Sequence, residues 1–164
     1  MKSFRLFCVF FLIALFASVP QVQPQDRSAG SADDRAAVRK VLSELGAADN
    51  SGNLDSVVSH YREDAILLPP NADVVAGRSA IRSWYEQGFR HYRFAVSFDA
   101  GEIAASGDLA FARGYINGRL NPKADEALIN LHEKFIMVLR RDEDGWKIAR
   151  LIWNSDAPAP VVPK

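Results

Sequence analysis

Near residue 92 the spacing of apolar residues changes from a helical period to alternation, and this change decides which folds are open to the chain. Upstream, Val38, Val41, Leu42 and Leu45 recur three and four apart, the stripe of an amphipathic helix that Asn50-Ser51-Gly52 brings to an end. Asn53 is placed to cap a second, short helix in which Leu54, Val57, Val58 and Tyr61 share a face. Residues 64–68 predict a strand stopped by Pro69-Pro70, Val74-Val75 a shorter one, and residues 79–91 a third helix with Ile81, Trp84, Tyr85 and Phe89 available to a core. Downstream, Phe94, Val96 and Phe98 alternate with polar or small residues. Strands are predicted through residue 105, over 109–120, over 128–141 and over 146–154, with turns at Ser106-Gly107-Asp108 and at residues 142–145. Helices first and consecutive strands afterwards predict an α+β fold. The expected form is a cone-shaped, curved, mostly antiparallel sheet with about three N-terminal helices packed on its concave face. Gly114, inside a strand, predicts the bend or bulge that such a sheet needs. A cone closed by helices encloses a cavity, a natural place for a small molecule.

The N-terminus reads as an export signal. Lys2 and Arg5 precede an unbroken apolar run over residues 6–17, which is too short to span a hydrocarbon core of about 30 Å as a helix. We expect residues 1–17 to be a signal peptide, 18–31 a disordered Pro- and Gln-rich linker, 32–156 the folded domain and 157–164 an irregular tail. The expected destination is the periplasm or the extracellular space, with no membrane association after cleavage. Cys8, the single cysteine, would be lost with the signal, which excludes thiol catalysis and cysteine-bound metal in the mature protein.

The 20 basic and 20 acidic residues balance, and removal of the signal leaves 18 against 20, a net of −2. No global field attracts nucleic acid, and no basic cluster is interleaved with aromatics, so nucleic acid is not expected as a partner. His60, His91 and His132 come from distant segments without a metal-ligand spacing, so neither metal nor cofactor is expected.

Four blocks carry a resemblance. They are Gly52-Asn53-Leu54-Asp55 followed by Tyr61-Arg62-Glu63-Asp64-Ala65; Leu67-Leu68-Pro69-Pro70 followed by Gly77-Arg78-Ser79-Ala80-Ile81; Gly107-Asp108-Leu109-Ala110 with Gly114; and Gly145 to Arg150 followed by Ile152 to Asp156. In this order they resemble the nuclear-transport-factor-2-like superfamily, and within it the SnoaL-like and ketosteroid-isomerase-like proteins, most of all domain-of-unknown-function family 4440. That fold hosts both enzymes and binders, so the resemblance implies architecture before chemistry. It also implies a homodimer, paired through the exposed face of the sheet.

In the isomerase-like relatives a carboxylate base works with a tyrosine and a protonated acid; the ketosteroid isomerase logic is a standard case. The resemblance places the base near Pro69 and the tyrosine near Leu45, neither of which can act, and the third position near Glu133. The isomerase residues are therefore absent at two of the three positions. A hairpin pairing Arg141 with Trp146 would set Lys134 opposite Trp153, Ile136 opposite Leu151 and Val138 opposite Ala149, with Asn130, His132 and Lys134 on one face. The relatives often carry an aspartate at the position of Leu151, so Lys134 is left to find water, a ligand or another acid. Tyr61, Trp84, His132, Lys134 and Trp153 are expected to face one cavity, with His132 and Lys134 as the catalytic candidates. The function expected is an exported domain binding a small hydrophobic molecule in an apolar pocket. The alternatives are a cofactor-independent isomerase, lyase or hydrolase acting on such a molecule, and an interaction module that dimerises through its open sheet face.

Overall fold

The computed structural model describes residues 32–125 and 127–156 of the 164. The expected signal peptide at 1–17, linker at 18–31 and tail at 157–164 lie outside the described residues. No helix among the described residues is long and apolar enough to cross a membrane.

Helices α1 (Ala32–Ser51) and α2 (Leu54–Ser59) lead into strands β1 (Tyr61–Leu68) and β2 (Val75–Ala76). Helix α3 (Arg78–His91) then passes without a break into β3 (Tyr92–Ser106), followed by β4 (Leu109–Pro122), β5 (Ile129–Asp142) and β6 (Gly145–Ser155). The six strands form one curved, unclosed sheet in the order β2-β1-β6-β5-β4-β3. β3 to β6 are an antiparallel meander, while β1 joins β6 in parallel and carries β2 on its outer edge. This is the α+β architecture expected from the change in period.

The helices cover one face of the sheet. Helix α1 presents Val38, Val41, Leu42, Leu45 and Ala48 to the core, where they meet Phe135, Met137 and Leu139 of β5 and Ile148 and Leu151 of β6. Leu42 and Leu45 are fully buried, and each contributes on the order of 2 kcal/mol relative to exposure. The Asp33 and Asp34 carboxylates occupy the first turn of α1, where the helix dipole favours negative charge. The Asn53 side chain accepts a hydrogen bond from the Ser56 amide at 3.0 Å and starts α2.

The end of α1 is fastened to the edge of the sheet. The Asn50 side chain donates to the Val96 carbonyl at 2.9 Å and accepts from the Val96 amide at 2.7 Å, standing in for a neighbouring strand. Beyond that point the pairing of β3 with β4 shifts register between Ala100 and Glu102. Gly114 faces Ala100 just where the β3–β4 register shifts, so the bend predicted there is present.

Two local expectations are corrected. Helix α2 ends at Ser59, and Tyr61 is the first residue of β1; it is fully buried, so it points inward as a strand residue rather than a helical one. The second correction is the register of the last hairpin. Arg141 does pair with Trp146, but an extra residue at Ala149 bulges β6 between the Leu139–Ile148 and Val138–Arg150 pairs. Lys134 therefore lies opposite Asn154, Ile136 opposite Ile152 and Val138 opposite Arg150. A slip of one residue moves every later side chain of β6 to the other face, so Leu151 and Trp153 pair with Met137 and Phe135 on the helix-covered side.

Candidate functional site

A cavity of about 370 Å³ opens between α3, the last turn of α1 and the concave face of the sheet. Its walls are mainly aromatic. Trp84 and Tyr85 come from α3, Tyr92, Phe94 and Phe98 from β3, and Trp153 from β6. Helical spacing on α3 and alternation on β3 aim these rings at one volume. Ile116, Leu120, Leu131 and Leu151 complete the apolar lining.

Two acids interrupt it. Asp49, in the last turn of α1, is 3% exposed and is the one buried charged residue among those described. Its Oδ1 has no hydrogen-bond partner among the described residues. Burial holds its carboxyl well above the usual carboxylate range, which favours the neutral acid. The clamp formed by Asn50 fixes the helical turn that carries Asp49. The second acid is Glu133 of β5, half-buried, its carboxyl also raised by desolvation.

Behind the wall, the Tyr85 and Tyr61 hydroxyls share a hydrogen bond of 2.8 Å. Burial raises the pKa of both, and the nearby Asp49 carboxylate raises it further, so the pair stays protonated. Tyr61 is therefore a buried support to Tyr85 and not a wall of the cavity. The arrangement can hold an apolar ring, offer hydrogen bonds from neutral acids, and exchange a proton at Asp49.

The residues expected from sequence divide accordingly. Trp84 and Trp153 are in the cavity wall. His132 and Lys134 are not: they project from the opposite, solvent-exposed face of the sheet, alternating with the inward-facing Glu133 and Phe135. His132 stacks on Tyr115 with ring centroids 4.5 Å apart, and its Nδ1 lies 2.6 Å from Asn117 Oδ1. Lys134 forms an ion pair with Asp156, whose carboxyl is held below the usual range by that ammonium. The chain thus supplies the acid that Leu151 does not. A proton relay through His132 and Lys134 has no route to the cavity, because the sheet lies between.

Asp49 is not among the residues expected from sequence, because Asn50-Ser51-Gly52 beside it marks only a helix stop. A signal was available. Val38, Leu42, Leu45 and Asp49 are spaced four, three and four apart, so the aspartate continues the apolar stripe. Among the described residues, no group of three or more His, Cys, Asp or Glu is placed to hold a metal ion.

The sequence matches the SnoaL-like domain family over residues 30–152. No curated protein matches it significantly. Among solved structures it is similar to a ketosteroid isomerase-like protein from Erwinia carotovora atroseptica, with a TM-score of 0.71 at 22% identity over 78% of this chain and 100% of that one. It is also similar to a candidate dehydratase of the NTF2-like family from Streptomyces avermitilis, with a TM-score of 0.67 at 16% identity over 77% of this chain and 98% of that one. An NTF2-like protein with a cystatin-like fold from Novosphingobium aromaticivorans gives a TM-score of 0.61 at 17% identity, covering 78% and 85%. At these identities the likeness is one of fold.

Proposed function

We propose that this chain, which belongs to the SnoaL-like domain family, binds a small hydrophobic or aromatic molecule in the cavity between α3 and the sheet. The observation that carries this reading is an aromatic-walled cavity of about 370 Å³ into which a buried, unpaired carboxyl is set. Ligand sites combine apolar walls with a few placed polar groups in this way, whereas a core packed for stability alone leaves neither a void nor an orphaned acid. Binding should be visible as thermal stabilisation in a screen of steroids, polyketides and aromatic compounds. A ligand at 100 times its Kd raises stability by about 2.7 kcal/mol. Leu131→Trp, which fills the cavity from β5, is expected to weaken binding at least about tenfold while the protein stays folded. Equal affinity in that variant would place the ligand elsewhere.

A second reading is favoured by Asp49. A carboxyl whose pKa burial raises well above the usual range, beside a protonated tyrosine pair, suits general acid–base work without a cofactor, as in an isomerase or a dehydrating lyase. The same ligands, followed for chemical change, separate the two readings: turnover that vanishes in Asp49→Asn supports the enzyme, and binding without change supports the binder.

We also propose that the chain pairs with a second copy through the uncovered face of the sheet. Ile136 and Ile152 lie directly opposite each other there, each 44% exposed, with Tyr115 nearby at 40%. An open antiparallel face carrying such residues is either solvated at a cost or paired. Light scattering at tens of micromolar should give twice the chain mass, and Ile136→Glu should halve it. A monomer in the unsubstituted protein rejects the pairing.

A further inference from the structure

We propose that the ligand of this cavity is an organic cation, a hydrophobic or aromatic amine. The inference rests on the cavity being the binding site and adds the charge of its occupant. Eight side chains of the wall carry it: the acids Asp49 and Glu133, and the rings of Trp84, Tyr85, Tyr92, Phe94, Phe98 and Trp153.

The formal charges in the wall have one sign. Neither lysine nor arginine lines the cavity, and its single basic group is His91, at the end of α3. Arg78 hydrogen-bonds the Tyr61 carbonyl and pairs with Glu63, and Arg113 pairs with Glu102. A carboxylate or phosphate ligand would place its charge in an apolar space that already holds two acids and no lysine or arginine to balance it.

A neutral ligand meets a different difficulty. Its hydroxyl can satisfy one acid, but Asp49 and Glu133 stand on different elements, α1 and β5, and the other stays desolvated. An amine beside either acid supplies donors and takes up the proton the buried carboxyl holds, leaving an ion pair in place of a desolvated acid. The walls add to this preference. Aromatic faces carry negative potential and attract a cation that has left water. Carboxylates among tryptophan and tyrosine faces make a recognition site for an amine and a poor one for an acid. The raised carboxyl pKa values agree: both acids await a partner that stabilises their charged forms.

The test uses three compounds of one shape: tryptamine, its alcohol analogue tryptophol, and indole-3-acetate, titrated calorimetrically into the full chain. Tryptamine is expected to bind at least about tenfold more tightly than tryptophol, and indole-3-acetate not to bind. Asp49→Asn and Glu133→Gln, each confirmed folded by its melting temperature, should each lower tryptamine affinity at least about tenfold and leave tryptophol within about twofold. Tryptophol binding as tightly as tryptamine, or binding of indole-3-acetate, overturns the charge preference and leaves the cavity as a site for neutral ligands. Failure of both tryptamine and tryptophol to bind, with the Leu131→Trp variant indistinguishable from the unsubstituted protein, overturns the cavity itself as an aromatic site.

Discussion

Gly118→Ala is expected to lower the stability of the protein by about 3 kcal/mol and its melting temperature by about 10 °C. Gly118 has φ of 137°, a backbone conformation that side chains rarely adopt. A Cβ there would fall well inside contact distance of the Ala95 carbonyl oxygen and 2.8 Å from the Val96 Cα. The neighbour cannot yield cheaply, because Val96 is held on its other side by the paired hydrogen bonds of Asn50. Relief of the clash would drag the end of α1, and with it Asp49. Gly114 makes a similar close approach, 2.9 Å from the Ala100 Cα, but it faces the register shift in β3, where slack is available, and its φ is not positive. Its alanine variant should therefore lose less. Gly107, at a hairpin tip with nothing near its would-be Cβ, is the control and should cost about 1 kcal/mol for its positive φ alone. A Gly118→Ala protein melting within about 2 °C of the parent would show that β3 and β4 are not in close contact there.

Asp49→Asn is expected to stabilise the protein increasingly as pH rises. The native carboxyl holds its proton well above the usual range, while in the unfolded chain it ionises near the ordinary aspartate value of 3.8. Between those two values the folded state carries a proton that the unfolded state has released, so stability falls as pH rises through that window. Below it both states are protonated and the term vanishes. Asparagine has no proton to lose. The melting temperature of the variant minus that of the parent should thus be smallest near pH 4 and grow toward pH 8. Glu133 titrates in the same direction but is present in both proteins and cancels. A difference independent of pH would mean that Asp49 is solvated and ionises normally. Since the same substitution is expected to weaken amine binding, Asp49 would be a residue kept at the expense of stability.

Much of the architecture was legible. Periods in the apolar pattern are local, and they gave α1 from Val38 to Leu45, α3 from Ile81 to Phe89, and the four long strands after it with boundaries off by at most two residues. What failed were statements about pairs. The turn at Asp142–Gly145 was placed correctly, yet a single extra residue at Ala149 shifted all later partners. Nothing in the run Ile148-Ala149-Arg150 marks a bulge, because alanine suits either face and the bulge answers to the curvature of the whole sheet. That one residue moved His132 and Lys134 away from Trp153 and across the sheet. Trp84 needed only its helical phase to be placed in the wall. Asp49 was readable by the same phase, but its polar neighbours obscured it.

The parallel pairing of β1 with β6 has a consequence for the order in which the chain is assembled. β1 leaves the ribosome well before its partner, which is the last strand of the domain, and in the finished sheet β6 separates β1 and β2 from all the others. Until residues 145–155 emerge, the apolar residues of β1 that the finished fold buries, Ala65 and Leu67 among them, have no strand β6 to adjoin. The meander from β3 to β6 closes through near neighbours and forms early, whereas β1 must be captured across a long loop, which is slow. A nascent or truncated chain lacking β6 is therefore more than a domain without one strand. It is a three-stranded remnant beside an orphaned hairpin, the kind of species that chaperones retain and proteases clear.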